Sequence, residues 1–123
     1  VEWRRQLNDA DGVLICSPEY AFGVPGSLKN SLDWTVSSGE LVNKPLALIT
    51  AATGGDKAHA ALLQTFTALS ANIQPASTLL ISFIRSKMNG NKITDPATIG
   101  DIRSVVDSLV AVVEAAANRA DEE

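Results

Sequence analysis

Cysteine is nearly absent from this sequence. Cys16 stands alone among 123 residues, which excludes an internal disulfide and points to a reducing, cytoplasmic setting. A surplus of positive charge is lacking too. Ten basic residues against fourteen acidic ones give a formal net charge of −4 and a pI near 4.9. No basic stripe can then release counterions from a polyanion, and nucleic acid is not expected as a partner. No apolar run approaches the roughly 20 residues a spanning helix needs, so no membrane span is expected, and no signal-peptide pattern opens the chain. The first residue is Val1 rather than methionine, and Val1 to Leu7 already reads as a helix tail. Something upstream is therefore expected. Internal repeats, linkers and low-complexity segments are missing as well.

What remains is an ordinary globular balance, 46% hydrophobic and 20% charged, expected to fold as a single domain over residues 1–123. Three short apolar segments read as strands: Val13 to Cys16, Leu46 to Thr50 and Leu79 to Phe83. Their β-branched, unbroken character fits central parallel strands covered on both faces. Helices are expected between them. One starts at Ser27, whose hydroxyl can cap it, and runs to about Ser37; a second spans about Lys57 to Ala71. A third, about Pro96 to Ala117, keeps Ile99, Ile102, Val105, Val106, Leu109, Val112 and Val113 at helical spacing and leaves Asp121-Glu122-Glu123 frayed. Asn72 to Pro75 and Met88 to Lys92 read as breaks. Alternating strands and helices argue an α/β fold with a parallel sheet of βαβ units.

Ser17 to Gly26, at the carboxyl end of the first strand, holds two prolines, two glycines and a Glu-Tyr pair. Open α/β sheets bind ligands at such loops. A loop stiffened by Pro18 and Pro25 can present successive backbone N–H groups to a flat heteroaromatic edge without a further ordering cost. Thr53-Gly54-Gly55-Asp56 occupies the same place after the second strand, where glycine permits close backbone approach or simply makes a turn; both readings stand. Lys29 and Asp33 suit a helical ion pair, and Trp34 suits either the core or a subunit interface. His59 has no acid or thiol partner at metal or triad spacing and reads as a solvated helix residue. Cys16, in its apolar run, reads as a packed core thiol.

The stretch Pro18-Glu19-Tyr20, followed by Pro25-Gly26-Ser27-Leu28-Lys29-Asn30 and closed by Asp33-Trp34, resembles the signature of the NADPH-dependent FMN reductase family, which includes quinone, azo-dye and chromate reductases. Spacing, residue types and strand context agree over one continuous segment, so the match is specific. The resemblance implies a flavodoxin-like, three-layer α/β/α fold with strand order 2-1-3-4-5, of which the strands here look like the third, fourth and fifth. It implies FMN as cofactor and NADPH or NADH as reductant. It also implies a small-molecule electron acceptor (a quinone, azo compound, metal oxyanion or free flavin) and a homodimer or homotetramer. It places Ser17, Pro18, Glu19, Tyr20 and Ala21 along the flavin ring, with Thr53, Gly54 and Gly55 on its other side. Where the family usually has Asn, this chain has Ala21. The Ser/Arg/Asn-rich phosphate loop that opens family members is not found in this sequence. Two other readings stay open: a flavodoxin-like electron carrier with no nicotinamide site, and a degenerate domain that binds no cofactor.

Overall fold

The computed structural model describes residues 2–122; Val1, expected in a helix tail, and Glu123, expected in a frayed end, lie outside them, whereas Asp121 and Glu122, expected to fray with it, are the last residues of the final helix. In chain order the elements are α1 (Glu2–Asp9), β1 (Val13–Ser17), α2 (Gly26–Asp33), β2 (Pro45–Ala51), α3 (Asp56–Ala68) and β3 (Asn72–Ile81). A 3₁₀ turn at Ile84–Lys87 and a small hairpin, β4 (Met88–Asn89) with β5 (Lys92–Ile93), lead into α4 (Pro96–Glu122). The sheet is parallel, in the order β1-β2-β3.

The alternation of β2 assigns the layers. Leu46 and Leu48 point to one side, into a core with Leu7 of α1, Ile15 of β1, Leu32 of α2 and Leu62 and Phe66 of α3. Ala47 and Ile49 point to the other, where they meet Ile81 of β3 and Val105 of α4. The sheet thus lies between α1, α2 and α3 on one face and α4 on the other, as expected for βαβ units whose crossovers cover both faces.

Several expectations are corrected. Ser27 does not cap α2: the helix begins after Pro25, without a side-chain cap, and the Ser27 carbonyl instead accepts the Ser31 hydroxyl at 2.8 Å. The helix stops at Asp33 rather than near Ser37. Thr35 N–H and Val36 N–H reach back only three residues, to Leu32 and Asp33, and the Thr35 hydroxyl also bonds the Leu32 carbonyl at 2.7 Å, the competition by which Ser and Thr weaken helices. Residues Asn72 to Pro75 are not a break but the start of β3. Pro75 is tolerated because β3 is an edge strand, with an irregularity between its pairings to Leu46 and Leu48. Ser82 and Phe83, expected inside that strand, have left it.

Cys16 is exposed, not packed. Val13, Ile15 and Ser17 face the α1–α2–α3 core, so Leu14 and Cys16 face the α4 side. There α4 approaches only the start of β1: a Cβ on Gly12 would lie 2.7 Å from Val113 Cγ2 and 3.4 Å from Leu109 Cδ1. Farther along the strand that face is open among the described residues: Leu14 is 46% exposed and Cys16 is exposed.

Candidate functional site

Both loops singled out from sequence emerge at the carboxyl ends of neighbouring strands, because Ser17 pairs in register with Thr50. Ser17 is buried and its hydroxyl donates to the Pro18 carbonyl at 2.8 Å, fixing the exit of the loop. Beyond it the chain makes a two-residue reversal. Tyr20 and Gly23 exchange backbone hydrogen bonds of 3.0 and 2.8 Å, while Ala21 (φ 48°) and Phe22 (φ 61°) both sit in the left-handed region. This geometry normally recruits Asn-Gly; a residue with a Cβ costs roughly 1–2 kcal/mol there. Strain of this kind collects at functional sites. The reversal holds Tyr20 and Phe22 in solvent, 65% and 78% exposed.

Thr53 and Gly54 are also exposed, whereas Gly55 is buried. Gly55 adopts φ +98°, and a Cβ on it would lie 2.7 Å from Leu80 Cδ1, so only glycine fits this close turn into α3. Gly54 is open: its nearest neighbours for a Cβ are Asp56 Oδ1 and Glu19 Oε1, each at 3.8 Å.

Glu19 joins the two loops. Its Oε1 accepts the Gly55 N–H at 3.2 Å and its Oε2 accepts the Ala58 N–H at 2.9 Å. A carboxylate from β1's loop thus caps the first turn of α3, which has no cap of its own, and lies at the positive end of the helix dipole. His59, one residue on, is half-buried rather than solvated; its Nδ1 is 2.7 Å from the buried Thr50 hydroxyl. Burial holds its imidazole below the ordinary 6.5, favouring the neutral ring.

A third segment, which sequence reasoning placed inside a strand, belongs to this rim. The Phe83 N–H donates to the Thr53 carbonyl at 2.9 Å, and the Ser82 hydroxyl donates to the Gly54 carbonyl at 2.7 Å. Phe83 is itself left-handed, φ 55°, and 65% exposed. The one signal available was Ser82, a polar residue interrupting the apolar run. Lys29 and Asp33 form the anticipated ion pair, 2.5 Å, away from these loops. Trp34 is 62% exposed and borders a cleft of about 400 Å³ with Trp3, Arg4, Asn30 and Ser31. That cleft is formed by α1 and α2, so the strand-end loops form an open ledge apart from it.

A family model described as NADPH-dependent FMN reductase matches residues 1–85, the part of the chain that carries β1, β2 and both loops. The chain belongs to that family. Among curated family relatives, an NADPH azoreductase of Bacillus sp. strain OY1-2 is 54% identical over 46 residues, 37% of this chain and 25% of its own. The NADH-dependent flavin reductase subunit 2 of Lactobacillus johnsonii is 29% identical over 94% of this chain and 69% of its own. A quinone reductase of Escherichia coli K12 is 43% identical over 40% of this chain and 27% of its own. The solved structure of FerB, a flavoenzyme NAD(P)H:(acceptor) oxidoreductase from Paracoccus denitrificans, superposes with a TM-score of 0.77 at 24% identity, over 90% of this chain and 65% of that one. The flavodiiron core of Flv1 from Synechocystis sp. PCC6803 follows the same flavodoxin-like fold, TM-score 0.68 at 16% identity. The chain therefore spans only part of the length of the family members it matches. No helix among the described residues is long and apolar enough to cross a membrane.

Proposed function

We propose that the carboxyl rim binds the ring of FMN and that the protein passes hydride equivalents from NADPH or NADH to a quinone, azo compound, metal oxyanion or free flavin. Its setting on this reading is the cytoplasm. The observation that carries the reading is the reversal at Ala21-Phe22, braced by Glu19 against the Gly54-Gly55 turn. The backbone N–H groups of Ala21, Phe22 and Gly54 have no backbone acceptor among the described residues. They are free for the acceptors along a flavin's pyrimidine edge. Tyr20, Phe22 and Phe83 add exposed aromatic surface for a flat ring, and Gly54 leaves room for one. These residues fit the ring half of the cofactor. When bound, the flavin supplies the two-electron chemistry; Pro18 and Pro25 keep the loop stiff, and backbone donors at Ala21 and Phe22 favour a more negative ring edge.

Purified chain incubated with FMN is expected to turn yellow and to oxidise NADPH when a quinone is added. Flavin uptake without NADPH oxidation would make it an electron carrier, and a chain that stays colourless would make it a degenerate domain.

The sheet edges support a larger domain. Pro75 and an irregular register interrupt the β3 edge, the devices by which true edges avoid pairing. The β1 edge has neither proline nor charge and exposes Leu14. We infer that β1 pairs with a further parallel strand, making β1, β2 and β3 the third, fourth and fifth of a 2-1-3-4-5 sheet. A chain left without that strand should associate through β1 as concentration rises, and Leu14→Lys should keep it monomeric in light scattering. The exposed Trp34, Val36 and Val42 support a homodimer or homotetramer built through the α2 region; a Trp34→Asp variant that keeps the native mass would refute it.

A further inference from the structure

Glu19 stands in the flavin-loop motif, yet its carboxylate turns away from the open side of that loop. Both oxygens are committed to N–H groups on the next unit of the fold, Gly55 at 3.2 Å and Ala58 at 2.9 Å. The residues it connects lie far apart in sequence, and the N-cap of α3, Gly55, supplies no side-chain cap bond. The first loop is closed by the Tyr20–Gly23 bridge and seated by Val24 and the buried Pro25 that follow it, and its turn is strained at Ala21 and Phe22. A strained turn in solvent keeps one position only if something over-determines it. The Glu19 side chain ties this turn to the Thr53–Asp56 loop, and its Oε1 lies 3.8 Å from where a Gly54 Cβ would stand.

We propose that Glu19 is a positioning residue. Resting on the flavin reading above, it sets the separation between the two loops that face the ring, and its carboxylate does not touch the ring. The bond is charge-assisted, since an ionised carboxylate accepts from the first turn of a helix. A glutamine in its place keeps one acceptor oxygen and turns an NH₂ group toward the other amide, so it can satisfy Gly55 or Ala58 but not both.

The test compares the full chain with Glu19→Gln and Glu19→Ala. Amide hydrogen exchange is measured without cofactor, and FMN affinity is measured from quenching of flavin fluorescence. In Glu19→Ala, exchange at both Gly55 and Ala58 should quicken by about tenfold, the factor for one charge-assisted hydrogen bond. In Glu19→Gln one of the two should stay protected. FMN affinity should fall in the order wild type, Gln, Ala, while the absorbance band of bound flavin keeps its shape. Unchanged exchange in Glu19→Ala would overturn the proposal. So would faster exchange with undiminished FMN affinity, or an altered flavin band in Glu19→Gln, which would mean direct contact. If the wild-type chain takes up no FMN, the flavin reading fails by itself. The exchange comparison then decides alone: slow exchange in Glu19→Ala removes the latch, and faster exchange keeps it.

Discussion

The loop from Ser17 to Gly26 keeps Tyr20 and Phe22 in solvent and bends through two left-handed residues that are not glycine. The loop from Thr53 to Asp56, one strand away, turns on a glycine buried against Leu80, Ala52 and Thr50. The first is strained where it is exposed; the second is relaxed where it is packed. The pair shows how a rim can offer unencumbered surface without being mobile. One loop is anchored by close packing at its glycine; the other is seated by Val24 and Pro25 and tied to the first through Glu19.

The contrast is broken most severely at Gly55. Alanine there meets Leu80 Cδ1 at 2.7 Å at a φ of +98°, and the two penalties together should cost about 2–4 kcal/mol of stability. Urea denaturation would read this as a lower midpoint with an unchanged slope. Gly54→Ala, one residue earlier, should cost under about 0.5 kcal/mol because its Cβ meets only ordinary van der Waals neighbours at 3.8 Å, yet it should weaken flavin binding.

Next in size is Glu19→Ala. Loss of both acceptors at the first turn of α3 should cost about 1–2 kcal/mol by denaturation. A smaller effect of opposite sign is expected at Ala21, where the family usually has Asn. Asparagine tolerates the left-handed region better than alanine, so Ala21→Asn should stabilise the chain by roughly 0.5–1 kcal/mol, visible as a higher thermal midpoint.

The smallest effect lies at His59. Its burial holds the folded-state imidazole below the ordinary 6.5. The unfolded chain therefore takes up the proton first as pH falls, and stability present above about 6.5 declines below it. His59→Asn, whose Oδ1 can replace Nδ1 toward Thr50, should flatten that slope in denaturation series run across the interval.

Much of the fold could be read from residue pattern. The β-branched runs at Val13 and Leu46 and the apolar period of Ile99 to Val113 are local signals of burial, and they marked β1, β2 and α4. The motif from Pro18 to Trp34 marked one of the two loops at the carboxyl rim. Legibility failed where long-range contact decides the outcome. Pro75 reads as a breaker until β3 is known to be an edge. Cys16 reads as core until α4 is seen to cover only the start of β1. Glu19 gives no hint that its acceptors' partners lie on α3, and Phe83 was hidden because a strand end and a left-handed turn share the same apolar residues. His59 looked solvated because helical periodicity alone does not reveal Thr50 beneath it.

Amide chemical-shift mapping of the full chain during titration with FMN tests the flavin site most directly. The perturbed amides are expected to cluster at Glu19 to Phe22 and Thr53 to Gly55. Shifts confined to the cleft between Trp3 and Trp34, or no shifts at all, would contradict a flavin ring on this rim.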